Sequence, residues 1–144
     1  MPHFEISESP IDVARLRELL LGTGAGAYAS FEGWVRDRND GRAVQALTYE
    51  SYRTLAEAEG AAILAEAHTR FDIQQAACVH RVGRLALGEL AVWVGVSAAH
   101  RGPAFDACRW IIDEVKSRVP IWKHEHYAEG GQQWLHPSPQ EDGR

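Results

Sequence analysis

The clearest hydrophobic pattern in the chain lies between Pro103 and Val119, where apolar residues recur every three or four positions. This spacing places side chains on one face of an α-helix, so an amphipathic helix is predicted here. Pro103 suits the first turn of such a helix, and Pro120 ends it. Lys116 falls at the edge of the stripe, with its stem against the core and its amine at the rim. The predicted apolar stripe consists of Phe105, Cys108, Ile111, Ile112, Val115 and Val119.

Strands are predicted where apolar residues alternate, or where aromatic and small residues cluster between turn signals. Residues 90–97 alternate most clearly and are predicted to form a central strand. The dipeptide Asp40-Gly41 is a strong turn signal and predicts a hairpin between its flanking strands. The other predicted strands cover residues 27–36, 47–52 and 73–82.

Two further helices are predicted from their start signals. Ser9 followed by Pro10 is typical of a helix start, and the first helix is predicted to stop at Gly22. Thr54 and Glu57 have the spacing of a capping box, which predicts a long helix to about Arg70. The Gly-rich residues 22–26 lack the lysine of a phosphate loop and follow a helix, so a flexible connection is predicted.

Length and charge restrict the possible functions. A chain of 144 residues can bury a sizeable core, and one domain over residues 1–136 with a flexible tail at 137–144 is predicted. The net charge of −5 argues against a general nucleic-acid or anionic-membrane surface. No apolar run approaches the roughly 20 residues that span a bilayer, and the N-terminus lacks a signal-peptide pattern. A cytoplasmic protein is therefore predicted.

The ends of several predicted elements carry cationic residues, and element ends are where sites are normally built. Arg36 ends a predicted strand, His100 and Arg101 precede the last helix, and Lys116 and Lys123 flank the helix stop. A helix N-terminus attracts anions, and a lysine partly desolvated beside other cations is more readily neutral. Such an amine could act as nucleophile or general base. Solvated helix entry and ordinary surface lysines are the alternative interpretations.

Thiol and metal chemistry have weaker support. Cys78 and Cys108 lie in apolar runs without Cys-x-x-Cys spacing, so both are predicted to be buried and reduced. His124, His126 and His136 match neither the zinc-finger nor the His-Glu-x-x-His spacing, so no metal site is predicted.

Taken in order, several segments resemble the large, catalytic subunit of the molybdopterin synthase family. Each segment is short, but the ordered set, spread between about Ala27 and Trp134, is specific. The segments are residues 31–39, 47–52, 80–83, 88–97, 99–101 with 104–105, and 116–125.

The resemblance implies an α/β hammerhead-type α+β fold, with a mostly antiparallel sheet and packed helices. It also implies a homodimer of large subunits within a heterotetramer. Each large subunit would bind a small ubiquitin-like sulfur carrier that ends in Gly-Gly. The carrier's C-terminal thiocarboxylate would donate sulfur to cyclic pyranopterin monophosphate, and two transfers would give the dithiolene of molybdopterin. No cofactor is implied.

Site residues also follow from the resemblance, at positions that match the family motifs. Lys116 and Lys123 would be catalytic, Lys116 as base or amine nucleophile and Lys123 by stabilising charge and guiding the carrier tail. Arg36, His100 and Arg101 would hold the phosphate and pterin by charge-assisted hydrogen bonds. The substrate-binding positions are Trp34, Val35, Arg36, His100, Arg101, Lys116, Lys123, His124 and Glu125.

Two positions depart from the family pattern, and one different function stays open. Trp34 stands where relatives can carry a basic residue, and His124 where they can carry arginine. Glu125 would orient Lys123 or be an exposed surface charge. The alternative function is a non-enzymatic adaptor that binds a ubiquitin-like carrier or an anionic metabolite.

Overall fold

The computed structural model describes residues 3–128 and the backbone of residues 132–135. The predicted tail, residues 137–144, lies outside the described residues. In chain order the elements are β1 His3–Ser7, α1 Val13–Leu20, β2 Ala27–Trp34, β3 Arg38–Asn39, β4 Arg42–Ser51, α2 Arg53–Arg70, β5 Gln75–Arg81, β6 Gly83–Ala86, β7 Leu90–Ala98, α3 Arg101–Arg118, β8 Ile121–Tyr127 and β9 Gln132–Leu135.

A four-stranded sheet, in the order β1-β5-β7-β2, is covered by helices on both faces. β1 runs parallel to β5, and the other neighbouring strands are antiparallel. Side chains alternate along β7, so Val92 and Val94 face α2 and α3 while Trp93 faces α1. The predicted central strand is therefore confirmed, and so is the α+β class.

A second sheet, in the order β3-β4-β8-β9 with β6 on the other side of β4, lies beside the first. Asp40 and Gly41 both have positive φ, at 51° and 78°, and turn β3 into β4, so the turn itself is confirmed. The predicted hairpin between residues 27–36 and 47–52 is wrong, because β2 pairs with β7 in the first sheet while β4 belongs to the second. Tyr49 of β4 packs against the cores of both sheets and joins them. The edge at which the two sheets meet, called the rim below, is therefore packed against both cores through Tyr49.

The residues after Pro120, for which no element was predicted from the sequence, form a strand. Residues Ile121–Tyr127 form β8, which pairs with β4 along its whole length. Every second residue of β8, from Ile121 to Tyr127, is buried. The inward positions include Lys123 and Glu125, so the buried face of this strand carries charge.

Other differences concern element ends. Asp12, not Ser9, caps α1, because its carboxylate accepts a hydrogen bond from the Arg15 backbone N–H at 3.1 Å. The predicted capping box does not form, since α2 begins at Arg53 and Glu57 accepts instead from the Ile6 backbone N–H. Strand β6 was not predicted.

The last helix keeps its predicted stripe except at Phe105. α3 begins at Arg101, two residues before Pro103, and ends at Arg118. Phe105 was predicted to be in the core, but 64% of its surface is exposed. The rest of the stripe is buried.

The C-terminal end of α3 is anchored to α2 by ion pairs. The Arg118 guanidinium lies 3.0 Å from the Glu59 carboxylate and 2.8 Å from that of Glu66, both on α2. It also pairs with Glu114 one turn earlier in α3, at 3.1 Å. Lys116 therefore stands two residues before an arginine that ties the end of α3 to α2. Among the residues the structure describes, none of the helices is long and apolar enough to cross a membrane.

Candidate active site

Two small cavities, of ≈ 60 Å³ and ≈ 40 Å³, adjoin at the rim between the two sheets. They share Trp34 and Tyr49 in their walls, and each contains one of the two predicted catalytic lysines. We call them the Lys116 cavity and the Lys123 cavity. The first is lined by Gly33, Trp34, Tyr49, His80, Ala91, Val92, Ile112, Val115, Lys116, Val119 and Ile121. The second is lined by Trp34, Arg36, Arg38, Asn39, Leu47, Tyr49, Lys123 and Glu125.

The Lys116 cavity is lined mainly by apolar residue types, with Lys116 as its one lysine. Lys116 is half-buried in the last turns of α3, where Ile112 and Val115 pack into the core. This agrees with the predicted position at the edge of the apolar stripe. The stem of Lys116 is thus held by the core while its amine reaches the cavity.

His80 is a second polar group of the Lys116 cavity, and the sequence analysis gave it no role. It is buried on β5, and its Nδ1 lies 2.8 Å from the Arg81 carbonyl oxygen. Because a carbonyl only accepts, Nδ1 carries the proton in this hydrogen bond. The ring meets Tyr49 edge-on, with 4.9 Å between centroids. A histidine inside a buried apolar strand was the signal that could have identified it.

The Lys123 cavity is rich in positive charge. Lys123 is only 4% exposed and shares the cavity with two exposed arginines, Arg36 and Arg38. Glu125, at 2% exposed, supplies the one carboxylate of the lining. Three cations against one carboxylate give a cavity that favours an anionic ligand.

Glu125 is held by two donors from different parts of the chain. Its Oε1 accepts hydrogen bonds from Asn39 Nδ2 at 2.9 Å and from the Tyr127 hydroxyl at 2.7 Å. The interpretation of Glu125 as an exposed surface charge is therefore excluded. Orientation of Lys123 by Glu125, the other interpretation, stays a prediction.

His124 does not enter either cavity. It lies on the opposite face of β8 from Lys123, where its ring is 4.7 Å from that of His126. His126 in turn bonds Thr48 Oγ1 at 2.9 Å. Burial, with Arg84 and His124 nearby, lowers the pKa of His126, so this ring is neutral near pH 7. Across the described ranges, no group of three or more His, Cys, Asp or Glu could hold a metal ion.

Val35 and Trp34 have different positions although they are neighbours. Val35 is buried in the core of the second sheet, and its backbone N–H and carbonyl bond Glu89 and Gly88. Its side chain faces neither cavity. Trp34 is 64% exposed and donates from Nε1 to Glu32 at 2.9 Å, so its ring stands at the mouth of both cavities.

His100 and Arg101 lie at the opposite end of α3 from Lys116. Fifteen residues separate Arg101 from Lys116 along the helix, which at about 1.5 Å per residue is about 22 Å. Both are exposed, and His100 occupies the N-cap position. One copy of the chain therefore brings Lys116, Lys123 and Arg36 together but not His100 or Arg101.

Comparison with known proteins identifies the family of the chain. The family described as "MoaE protein" matches residues 6–118. The chain belongs to the MoaE family. A molybdopterin synthase catalytic subunit of Thermoplasma volcanium is 43% identical over 92% of this chain and 96% of its own length.

Solved structures of the MoaE family share the fold. Molybdopterin synthase from Staphylococcus aureus superposes with a TM-score of 0.88 at 35% identity, covering 94% of this chain and 98% of that one. A chain from the complex of subunits 1 and 2 of molybdopterin-converting factor from Helicobacter pylori gives a TM-score of 0.73. It covers 92% of this chain and 88% of that one at 20% identity, which concerns the fold alone.

Both lysines of this MoaE-family chain line the candidate site, and the rarity of lysine in the sequence is a signal that points to them. Of the 15 basic residues counted as Lys and Arg, the only lysines are Lys116 and Lys123. Every other residue in this count is an arginine. Arginine stays charged, whereas a lysine amine can lose its proton and react. Lys116 and Lys123 therefore differ from the arginines of the chain, because a lysine amine can act as a base or nucleophile and a guanidinium cannot.

Proposed function

We propose that this chain is the catalytic subunit of molybdopterin synthase. It transfers sulfur from the C-terminal thiocarboxylate of a small ubiquitin-like carrier to cyclic pyranopterin monophosphate, in the cytoplasm. The observation that carries the proposal is the placement of the chain's two lysines in adjoining cavities. Both cavities open beside the same tryptophan, Trp34.

The Lys116 cavity suits the step in which a carbon–sulfur bond forms on the pterin. Its small volume, ≈ 60 Å³, suits the Gly-Gly end of a carrier tail, which has no side chains to accommodate. Lys116 acts there as base or amine nucleophile. In each transfer a carbon–sulfur bond forms on the pterin while a carbon–oxygen bond at the same carbon breaks, and that oxygen leaves on the opened phosphate or as water. The bond between carrier carbonyl and sulfur breaks by hydrolysis, so the carrier leaves as a carboxylate.

The Lys123 cavity suits the anionic part of the substrate. Arg36 and Arg38 reach it from the β2–β4 connection and can bond phosphate oxygens, in fixed fork geometry. Lys123 is buried between them and the sheet and stabilises charge that develops during transfer. Arg38 joins the residues proposed from the family pattern because it lines the same cavity.

A second copy of the chain supplies His100 and Arg101 to the same site. With about 22 Å between the two ends of α3, these residues cannot reach the Lys116 cavity of their own chain. In a symmetric homodimer, the α3 N-terminus of one copy can meet the α3 C-terminus of the other. We propose this arrangement for the homodimer, with one carrier bound to each copy in a heterotetramer.

Mixed dimers test this shared site. Lys116→Ala and Arg101→Ala should each lower turnover severely when prepared alone. If one site uses Lys116 of one copy and Arg101 of the other, each mixed dimer regains one intact site. Random mixing of equal amounts should then restore roughly a quarter of wild-type turnover, since half the dimers are mixed. No recovery in verified mixed dimers would place both residues in one copy's site.

The cysteines should be dispensable for the chemistry because the sulfur arrives on the carrier. Burial raises the pKa of the Cys78 thiol, and it raises that of Cys108 to about 11. Neither thiol is therefore a ready nucleophile at neutral pH. The double variant Cys78→Ser, Cys108→Ser should keep turnover within about threefold while unfolding at lower temperature, because hydroxyls replace thiols in the core. A folded double variant with no turnover would contradict this and indicate thiol chemistry.

Reconstitution tests the proposed function as a whole. The chain is incubated with thiocarboxylated carrier and cyclic pyranopterin monophosphate, and dithiolene product is measured. Product supports the sulfurtransferase. Stable binding of carrier or pterin without turnover would support an adaptor instead.

A further inference from the structure

Glu125 stands out among the cavity residues because its surroundings are built from distant parts of the chain. Asn39 is 86 positions away in sequence, yet its amide donates to Glu125 Oε1 at 2.9 Å. Tyr127, two residues along β8, donates its hydroxyl to the same oxygen at 2.7 Å. A carboxylate oxygen that accepts two such bonds is fixed in direction.

Tyr127 is itself held from behind. Its ring is buried, and the Arg42 guanidinium carbon lies 3.5 Å from the ring centroid. This stacking of a cation on an aromatic face restrains the ring. Burial and the Glu125 carboxylate raise the pKa of Tyr127 to about 12, so the phenol keeps the proton that it donates.

One hairpin supplies two of these three supporting groups. Asn39 and Arg42 pair across the β3–β4 turn, on either side of Asp40 and Gly41. The hairpin therefore fixes Glu125 directly through Asn39 and indirectly through the Arg42–Tyr127 stack. Lys123 lies two residues from Glu125 on the same buried face of β8, and both line the Lys123 cavity.

We propose that Tyr127, Asn39 and Arg42 are positioning residues that hold the Glu125 carboxylate, and that this carboxylate keeps the Lys123 ammonium aimed into its cavity. The proposal rests on the proposed function for its effect on turnover. Its effect on Lys123 itself does not depend on that function. Tyr127 lies outside the segments that carry the family resemblance and outside the residues that the family matches.

The test compares Tyr127→Phe with the matched control Tyr28→Phe. Tyr28 also has an arginine over its ring, Arg17 at 5.4 Å, but lines neither cavity. Tyr127→Phe should lower kcat about tenfold with little change in KM for cyclic pyranopterin monophosphate, the size expected for losing a hydrogen bond to a charged group. Tyr28→Phe should leave both constants unchanged.

A second readout follows the lysines directly, without substrates. Because the chain has two lysines, an amine-reactive acylating reagent and peptide mass spectrometry report on each separately. Tyr127→Phe should raise the labelling rate of Lys123 severalfold and leave that of Lys116 unchanged. Asn39→Ser should act in the same direction and serves as the second variant should Tyr127→Phe fold poorly.

The outcomes separate the two proposals. Unchanged Lys123 labelling in the folded variants would overturn the positioning role, and so would equal changes at Lys116, which would indicate general loosening. If the wild-type chain makes no dithiolene, the proposed function fails, while the labelling comparison still decides the positioning role.

Discussion

Replacing Lys116 with alanine should abolish dithiolene formation while the chain stays folded and still binds the carrier. The side chain is half-buried at the edge of the α3 stripe, so alanine removes the amine from its cavity without introducing a polar group into the core. Loss of a general base costs roughly 10²–10⁴-fold, and loss of a nucleophile costs more. Turnover is measured in the reconstituted assay, and folding by thermal unfolding.

Two control variants sharpen this result. Arg109→Ala removes a cation from the exposed side of the same helix and should leave turnover unchanged. Lys116→Arg keeps the charge but cannot supply a neutral amine, so it should be nearly as inactive as alanine. Near-normal turnover in Lys116→Arg would reduce the role of this residue to charge alone. Near-normal turnover in Lys116→Ala would remove it from the chemistry altogether.

Replacing Lys123 with methionine should impair both turnover and stability. Turnover should fall at least a hundredfold, as for loss of a preorganised charge at a transition state. The free energy of unfolding should fall by about 1–3 kcal/mol, because the buried Glu125 carboxylate loses a neighbouring positive charge. Denaturant unfolding gives the stability change, and the reconstituted assay gives turnover.

The double variant Lys123→Met, Glu125→Gln separates the two effects. Removing both buried charges should recover part of the lost stability without recovering turnover. Recovery of turnover together with stability would show that Lys123 serves the fold and not the reaction.

Elements with a strong internal period could be predicted from the sequence. The α3 stripe, the alternation along β7 and the Asp40-Gly41 turn each depend on local spacing, and all three are present. Phe105 fits the same helical period but is exposed. The period shows which residues share a helix face, but it does not show whether a neighbouring element covers that part of the face.

Strand β8 was missed because its inward positions carry Lys123 and Glu125. Its period-two alternation is complete in the structure, yet two of its four buried residues are charged. Polar and apolar patterning cannot recognise such a strand, since the burial of its charges depends on partners from other elements. The capping box failed for a similar reason, because Glu57 bonds β1 and not its own helix.

The site was predicted in part for the same physical reasons. Lys116 was placed at its cavity by helix periodicity, and Arg36 was singled out at the end of a strand. Asn39 and Tyr127 meet at Glu125 only through strand register, and His80 reaches the Lys116 cavity only because β5 pairs with β7, on which α3 packs. His100 and Arg101 lie far from Lys116 because they are at the opposite end of the long helix α3.

The central claim is that both lysines of this chain belong to one site for an anionic pterin. It is tested most directly by labelling the two amines with and without saturating cyclic pyranopterin monophosphate, with occupancy checked by equilibrium dialysis. We expect bound pterin to slow the labelling of Lys116 and of Lys123. Bound pterin with unchanged labelling at both lysines would contradict it.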